Sequence, residues 1–151
     1  MKGYIAFAIV VMTLLSCAGN IQTPSPFAIL GTWKLIKGTL IEKGDTIVTD
    51  YTKNTSFIKI INDTHFAFFQ HDLKKGKDSS AVFVAGGGRY SLSGAQYTEH
   101  LEYCTDRNWE NNDFKFSISI AADTLIITGV EKVESAGVNR VNTEKYVRVK
   151  K

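Results

Sequence analysis

Phe114, Phe116, Ile118 and Ile120 alternate with Lys115, Ser117 and Ser119. A period of two belongs to a β-strand with one apolar face and one wet face. From Leu30 onward the chain keeps this texture, in short runs of Ile, Val, Phe, Tyr and Thr separated by Gly, Asn, Asp and Lys. Strands are read at 31–42, 46–52, 55–61, 64–71, 80–93 (bent at its glycines), 96–104, 112–121, 124–132 and 140–149. After Cys17 no stretch repeats its apolar residues every 3.6 positions. Turn residues such as Lys43-Gly44-Asp45, Asn62-Asp63 and Ala122-Asp123 join neighbouring strands as hairpins. About nine antiparallel strands in roughly 120 residues must hide their edges, and the hairpin order favours closure over a Greek-key sandwich. The expected fold is all-β, an antiparallel up-and-down β-barrel of about eight to ten strands.

With 44% hydrophobic and 22% charged residues in 151, the chain is too apolar for disorder, and two cysteines are too few for a disulfide scaffold. The apolar residues are unevenly placed. Lys2 precedes an uncharged apolar run from Tyr4 to Leu15. That run is too short to cross a hydrocarbon core of about 30 Å as a helix and reads as the core of a signal peptide. It ends in Leu14-Leu15-Ser16-Cys17, which resembles the lipobox of bacterial lipoproteins. The resemblance implies cleavage before Cys17 and a diacylglyceryl thioether on its sulfur. Residues 1–16 are then the signal peptide, 17–29 the lipidated N-terminus and tether, and 30–151 the barrel. Cys17 would have no thiol left, so Cys104 is expected to be unpaired. Ala18, rather than Asp, resembles the default for outer-membrane sorting, so the expected location is the Gram-negative envelope, lipid-anchored at the outer membrane.

The first strand opens Leu30-Gly31-Thr32-Trp33-Lys34-Leu35, and the last carries Tyr146-Val147-Arg148. This G-x-W resembles the first-strand signature of lipocalins and fatty-acid-binding proteins, the calycins. In that family an arginine from the final strand lies over the tryptophan and closes one end of the barrel. The resemblance implies that Gly31, Trp33 and Arg148 form the closure; the alternative for Arg148 is a clamp on a ligand carboxylate. The segments around Ile58 to Phe66, Gly86 to Tyr90 and Tyr97 to Tyr103 are similar to lipocalin-like lipoproteins and secreted proteins of Gram-negative bacteria. One departure is plain: Thr49-Asp50-Tyr51, the nearest match to the T-D-Y of lipocalins proper, falls too early in the chain to be carried over.

Tyr97, Glu99, Leu101 and Tyr103 share one strand parity, the more apolar one, which turns Glu99 inward among tyrosines. A buried carboxylate must be paired, hydrogen-bonded or kept protonated. Lys59, between Phe57 and Ile61 on its own face, is the best inward partner. Lys59, Tyr97, Glu99 and Tyr103 are therefore the candidate ligand-binding residues, able to orient the polar end of a small, partly apolar or amphipathic molecule. The alternatives are a structural polar network without a ligand, and a packed barrel that serves as an interaction module for a protein or glycan, with exposed aromatics such as Trp109 at its rim.

Other chemistry finds little footing. His65 and His71 lie about 20 Å apart along an extended strand, too far to share a metal. Gly86-Gly87-Gly88 is followed by a strand rather than the helix a phosphate cradle needs, so the glycines are read as a bend. No nucleophile elbow, zinc-helix, C-x-x-C or Walker pattern occurs. The chain is read as a non-enzyme, and a net charge of only +3 spread along it gives no basic, aromatic-rich face for nucleic acid. No cofactor or metal is expected, and the protein is read as a monomer.

Overall fold

The computed structural model describes residues 26–150. Nine strands follow one another: β1 (Gly31–Glu42), β2 (Asp45–Asp50), β3 (Thr55–Ile61), β4 (His65–Asp72), β5 (Phe83–Ser93), β6 (Gln96–Cys104), β7 (Asn112–Ala121), β8 (Thr124–Val133) and β9 (Val138–Arg148). Three short 3-10 turns, Pro26–Ile29, Arg107–Trp109 and Glu134–Ala136, complete the elements. Each strand from β3 to β9 pairs antiparallel with the next, and β1 pairs with both β3 and β9, so eight strands close an up-and-down barrel. The expected fold class is what the structure shows.

The ninth strand, β2, stands outside this closure. It extends β1 as a ribbon and is exposed along its whole length. β1 has only two pairing edges: β9 takes one, and β3 and then β2 share the other. The turn that launches the ribbon has positive φ at both central residues, 53° at Lys43 and 91° at Gly44. That mirror-image turn matches the right-handed twist of the strands it joins. Where β2 and β3 part, Tyr51 seals the gap, its ring packed over Gly38, where a Cβ would come within 2.9 Å of Cε2.

The alternation read from β7 is present, with Phe114, Phe116 and Ile118 buried and Lys115, Ser117 and Ser119 exposed. Inward residues fill the closed half of the barrel: Trp33, Leu35, Ile61, Phe66, Leu125, Ile127 and Tyr146 are all buried. Gly86 to Gly88 answer a close approach as well as a bend. A Cβ on Gly86 would collide with the Phe68 ring, and one on Gly88 would overlap the carbonyl oxygen of His100 across the strand pair.

At the closed end, the Arg148 guanidinium lies 4.0 Å from the centre of the Trp33 ring. Its two terminal nitrogens donate to the carbonyls of Leu30 (2.7 Å) and Ala28 (2.6 Å). Trp33 Nε1 donates to the Ile29 carbonyl at 2.8 Å. A Cβ on Gly31, whose φ is +128°, would sit 2.9 Å from Arg148 Nη1, so the guanidinium lies against this glycine. These bonds draw Pro26–Ile29, which the sequence reading placed in the tether, against the closed end, with Ile29 fully buried. Cys17 and the signal segment lie outside the described residues.

Replacing Arg148 with Met removes the cation–π contact and strands two carbonyls. Urea denaturation should show a loss of about 2–4 kcal/mol, with Arg148→Lys recovering only part, because an ammonium cannot span both carbonyls while covering the ring.

Candidate functional site

Above the packed floor the barrel opens into a cavity of about 310 Å³, more enclosed than the shallow groove on the outer wall beside Tyr103. Tyr51, Phe57, Phe68, Trp109, Phe114 and Phe116 give it aromatic walls. Several of these rings pack on one another, Phe57 on Phe68 at 5.9 Å and Trp109 on Phe114 at 5.8 Å between centroids. The walls are aromatic because the inward positions of β3, β4 and β7 are Phe, and because the 3-10 turn Arg107–Trp109 folds its indole back over the mouth. Asp106 caps that turn by accepting from the Asn108 amide at 3.1 Å. Ser135, in the neighbouring 3-10 turn, ties the two together by donating to the Asn108 carbonyl at 3.0 Å.

Two charged groups stand in this interior. The deeper one joins three strands: Lys59 on β3 donates to Glu99 on β6 at 2.6 Å and lies 3.7 Å from Glu144 on β9. Lys59 and Glu99 are both buried. Tyr146 donates to Glu144 at 2.7 Å. The Lys59 ammonium also lies 5.6 Å from the Phe66 ring centre and 5.7 Å from that of Tyr146, within cation–π range. Desolvation is the largest influence on Glu99, and despite Lys59 it holds the carboxyl above its usual range. Desolvation is also the largest influence on Lys59 and opposes its charge, yet the carboxylates around it outweigh burial and raise its pKa. Tyr97, wholly buried, is pushed well up by desolvation and by Glu99, although its hydroxyl meets no partner with hydrogen-bond geometry.

The shallower group sits by the mouth. Glu131 on β8 accepts from Arg140 at 2.7 Å and from Asn142 at 2.7 Å, both on β9. Arg140 lies 5.3 Å from the Trp109 ring centre. Glu99, Glu131 and Arg140 all line the cavity. The arrangement can hold an apolar body against rings and place its polar end among charged groups screened from water.

Of the four ligand-binding candidates, the structure brings Lys59, Tyr97 and Glu99 together and separates Tyr103 from them. The register of β5 and β6 shifts between Gly87 and Gly88, so that Gly88 pairs with Leu101 and Gly87 with Tyr103. The extra residue turns Cys104 inward and leaves Tyr103 on the outer wall, 69% exposed. The parity argument fails there because a bulge resets it. Arg148 is committed to the closed end, with both terminal nitrogens on carbonyls. Cys104 is half-buried and unpaired, with burial raising its thiol. His65, His71 and His100 are scattered, and among the described residues no cluster of three or more metal-ligating side chains occurs.

Glu131, Arg140, Asn142, Glu144 and Tyr146 were not foreseen. The signal was present, since Arg140, Asn142, Glu144 and Tyr146 share the parity of Arg148. Once Arg148 faces inward over Trp33, the whole polar series follows it.

Removing one member of a buried charge group strands the rest. Lys59→Met should therefore lower the unfolding free energy by about 3–5 kcal/mol. The double change Lys59→Met and Glu99→Gln, which leaves no lone charge of that pair, should restore most of it. Denaturant titration of both variants measures the difference.

Compared with known proteins, the chain matches no family model, and no curated protein matches it. The closed barrel is compatible with a lipocalin-like fold, and the chemistry of the site rests on its own residues.

Proposed function

We propose that the chain is a lipid-anchored, lipocalin-like protein of the Gram-negative envelope that binds a small, partly apolar molecule in the open half of its barrel and catalyses no reaction. The observation that carries the reading is the aromatic cavity of about 310 Å³ with Glu99 exposed to it. Eight-stranded barrels have interiors just wide enough for side chains or for one small molecule, and here the side chains stop short of the mouth. Binding would come from burial of apolar surface, at about 25 cal/mol per Å² before ordering costs, with the charged groups setting orientation. Export and anchoring rest on the apolar run and Leu14-Leu15-Ser16-Cys17.

A second reading, the non-enzymatic interaction module, has one observation in its favour. Phe69 and Tyr103 flank a shallow groove on the outer wall floored by Ala67, Ala85 and Gly87, with Phe83 exposed beside it. Trp109, the aromatic first assigned to that role, instead packs over the cavity mouth.

Native mass spectrometry of the protein released gently from its own envelope should show a retained mass that disappears on denaturation. A bare polypeptide in every charge state would favour the interaction reading. Cys17→Ala should move the protein from the membrane fraction to the soluble fraction; continued membrane association would refute the lipid anchor.

A further inference from the structure

We propose that the cavity selects an organic cation, an ammonium group carried on a small aromatic or aliphatic body. The inference rests on the reading of the cavity as a binding site and names the charge of its occupant.

The charges that line or underlie the cavity do not balance. Glu99, Glu131 and Glu144 face Lys59 and Arg140, and Asp106 adds a further carboxylate at the rim. Arg148 is sequestered beneath Trp33 on its two carbonyls and contributes nothing to the opening. Within each group the allocation of atoms is unequal as well. At the mouth, Glu131 is satisfied on both oxygens, by Arg140 Nε and by Asn142, and the charge of Arg140 is paired with that carboxylate, although its terminal nitrogens make no hydrogen bond among the described residues. In the deeper group, Lys59 lies behind Glu99 and does not line the cavity, whereas Glu99 does. Lys59 takes Glu99 Oε1, and Glu99 Oε2 accepts no hydrogen bond from the described residues. The acceptor left to an incoming molecule is a carboxylate oxygen, in an opening lined by Glu99, Asp106 and Glu131 against the single guanidinium of Arg140.

The ring faces of the interior point the same way. The interior already stabilises one ammonium by ring faces, since Lys59 lies over Phe66 and Tyr146. The cavity walls offer further ring faces of the same kind, including Phe57, Phe68 and Trp109. A cation entering there meets both the Glu99 oxygen that Lys59 leaves unbonded and aromatic quadrupoles in a screened site, where each is worth more than in water. An anion of the same shape meets Glu99, Asp106 and Glu131 against Arg140 alone and is disfavoured.

Three probes of nearly equal size test this by isothermal titration calorimetry on the full chain: phenethylamine, 2-phenylethanol and phenylacetate. Phenethylamine should bind at least about tenfold more tightly than the alcohol, with phenylacetate weakest. In the Glu99→Gln variant, where Lys59 keeps Glu144 at 3.7 Å as its partner, the gap between amine and alcohol should shrink to about threefold or less. If the alcohol or phenylacetate binds as tightly as the amine, the cation assignment is overturned while the cavity stands. If the amine keeps its full advantage in the Glu99→Gln variant, Glu99 is not the group that selects it. If none of the three binds, the binding-site reading falls together with the proposal.

Discussion

Closure of β1 onto β9 is the constraint on which the rest of the molecule depends. Once eight strands form a ring, every second residue of each strand is committed to an interior barely wider than two side chains. That space must be filled, and glycines and aromatics divide it between them. Phe68 occupies the room over Gly86, and Phe116 does the same against Gly129, where added Cβ atoms would collide with the rings. At the closed end the filling is tight, held by Trp33 and Arg148 with the chain from Pro26 drawn beneath them. Toward the mouth the same rule leaves a hollow, because the large side chains there stand against the wall instead of across the lumen.

Most inward positions of the last strand are polar. From the mouth downward, β9 turns Arg140, Asn142, Glu144, Tyr146 and Arg148 into the barrel. In a low-dielectric interior such groups survive only with partners, and each has one: Glu131 for Arg140 and Asn142, Tyr146 and Lys59 for Glu144, and backbone carbonyls for Arg148. The strand that closes the barrel thereby also carries a column of charge through it. Lys59 links this column to Glu99 across the lumen, which gives the apolar interior a defined polar floor.

Much of this was legible in the residues. The nine strands and their hairpin order followed from alternation and turn chemistry, since those depend on neighbours in sequence. Lys59 and Glu99, read as inward from the company they keep on their own strands, lie inward as a pair. Tyr103 did not follow, because a single bulge at Gly87 and Gly88 reverses every parity beyond it, and a bulge depends on the opposing strand. The 3-10 turn Pro26–Ile29 looked like tether because its sequence has no period. What orders it is a guanidinium more than a hundred positions away.

Local pattern by itself therefore determined that this chain is an all-β, closed, hairpin-built barrel, for strand period and turn residues act within a few positions. Pairing across the ring decided the remainder: which strand stays outside the closure, where the floor ends and the cavity begins, and that the inward face of β9 is polar. Those outcomes depend on residues far apart in the chain sharing one narrow interior, where each buried charge is acceptable only if a distant partner arrives to meet it.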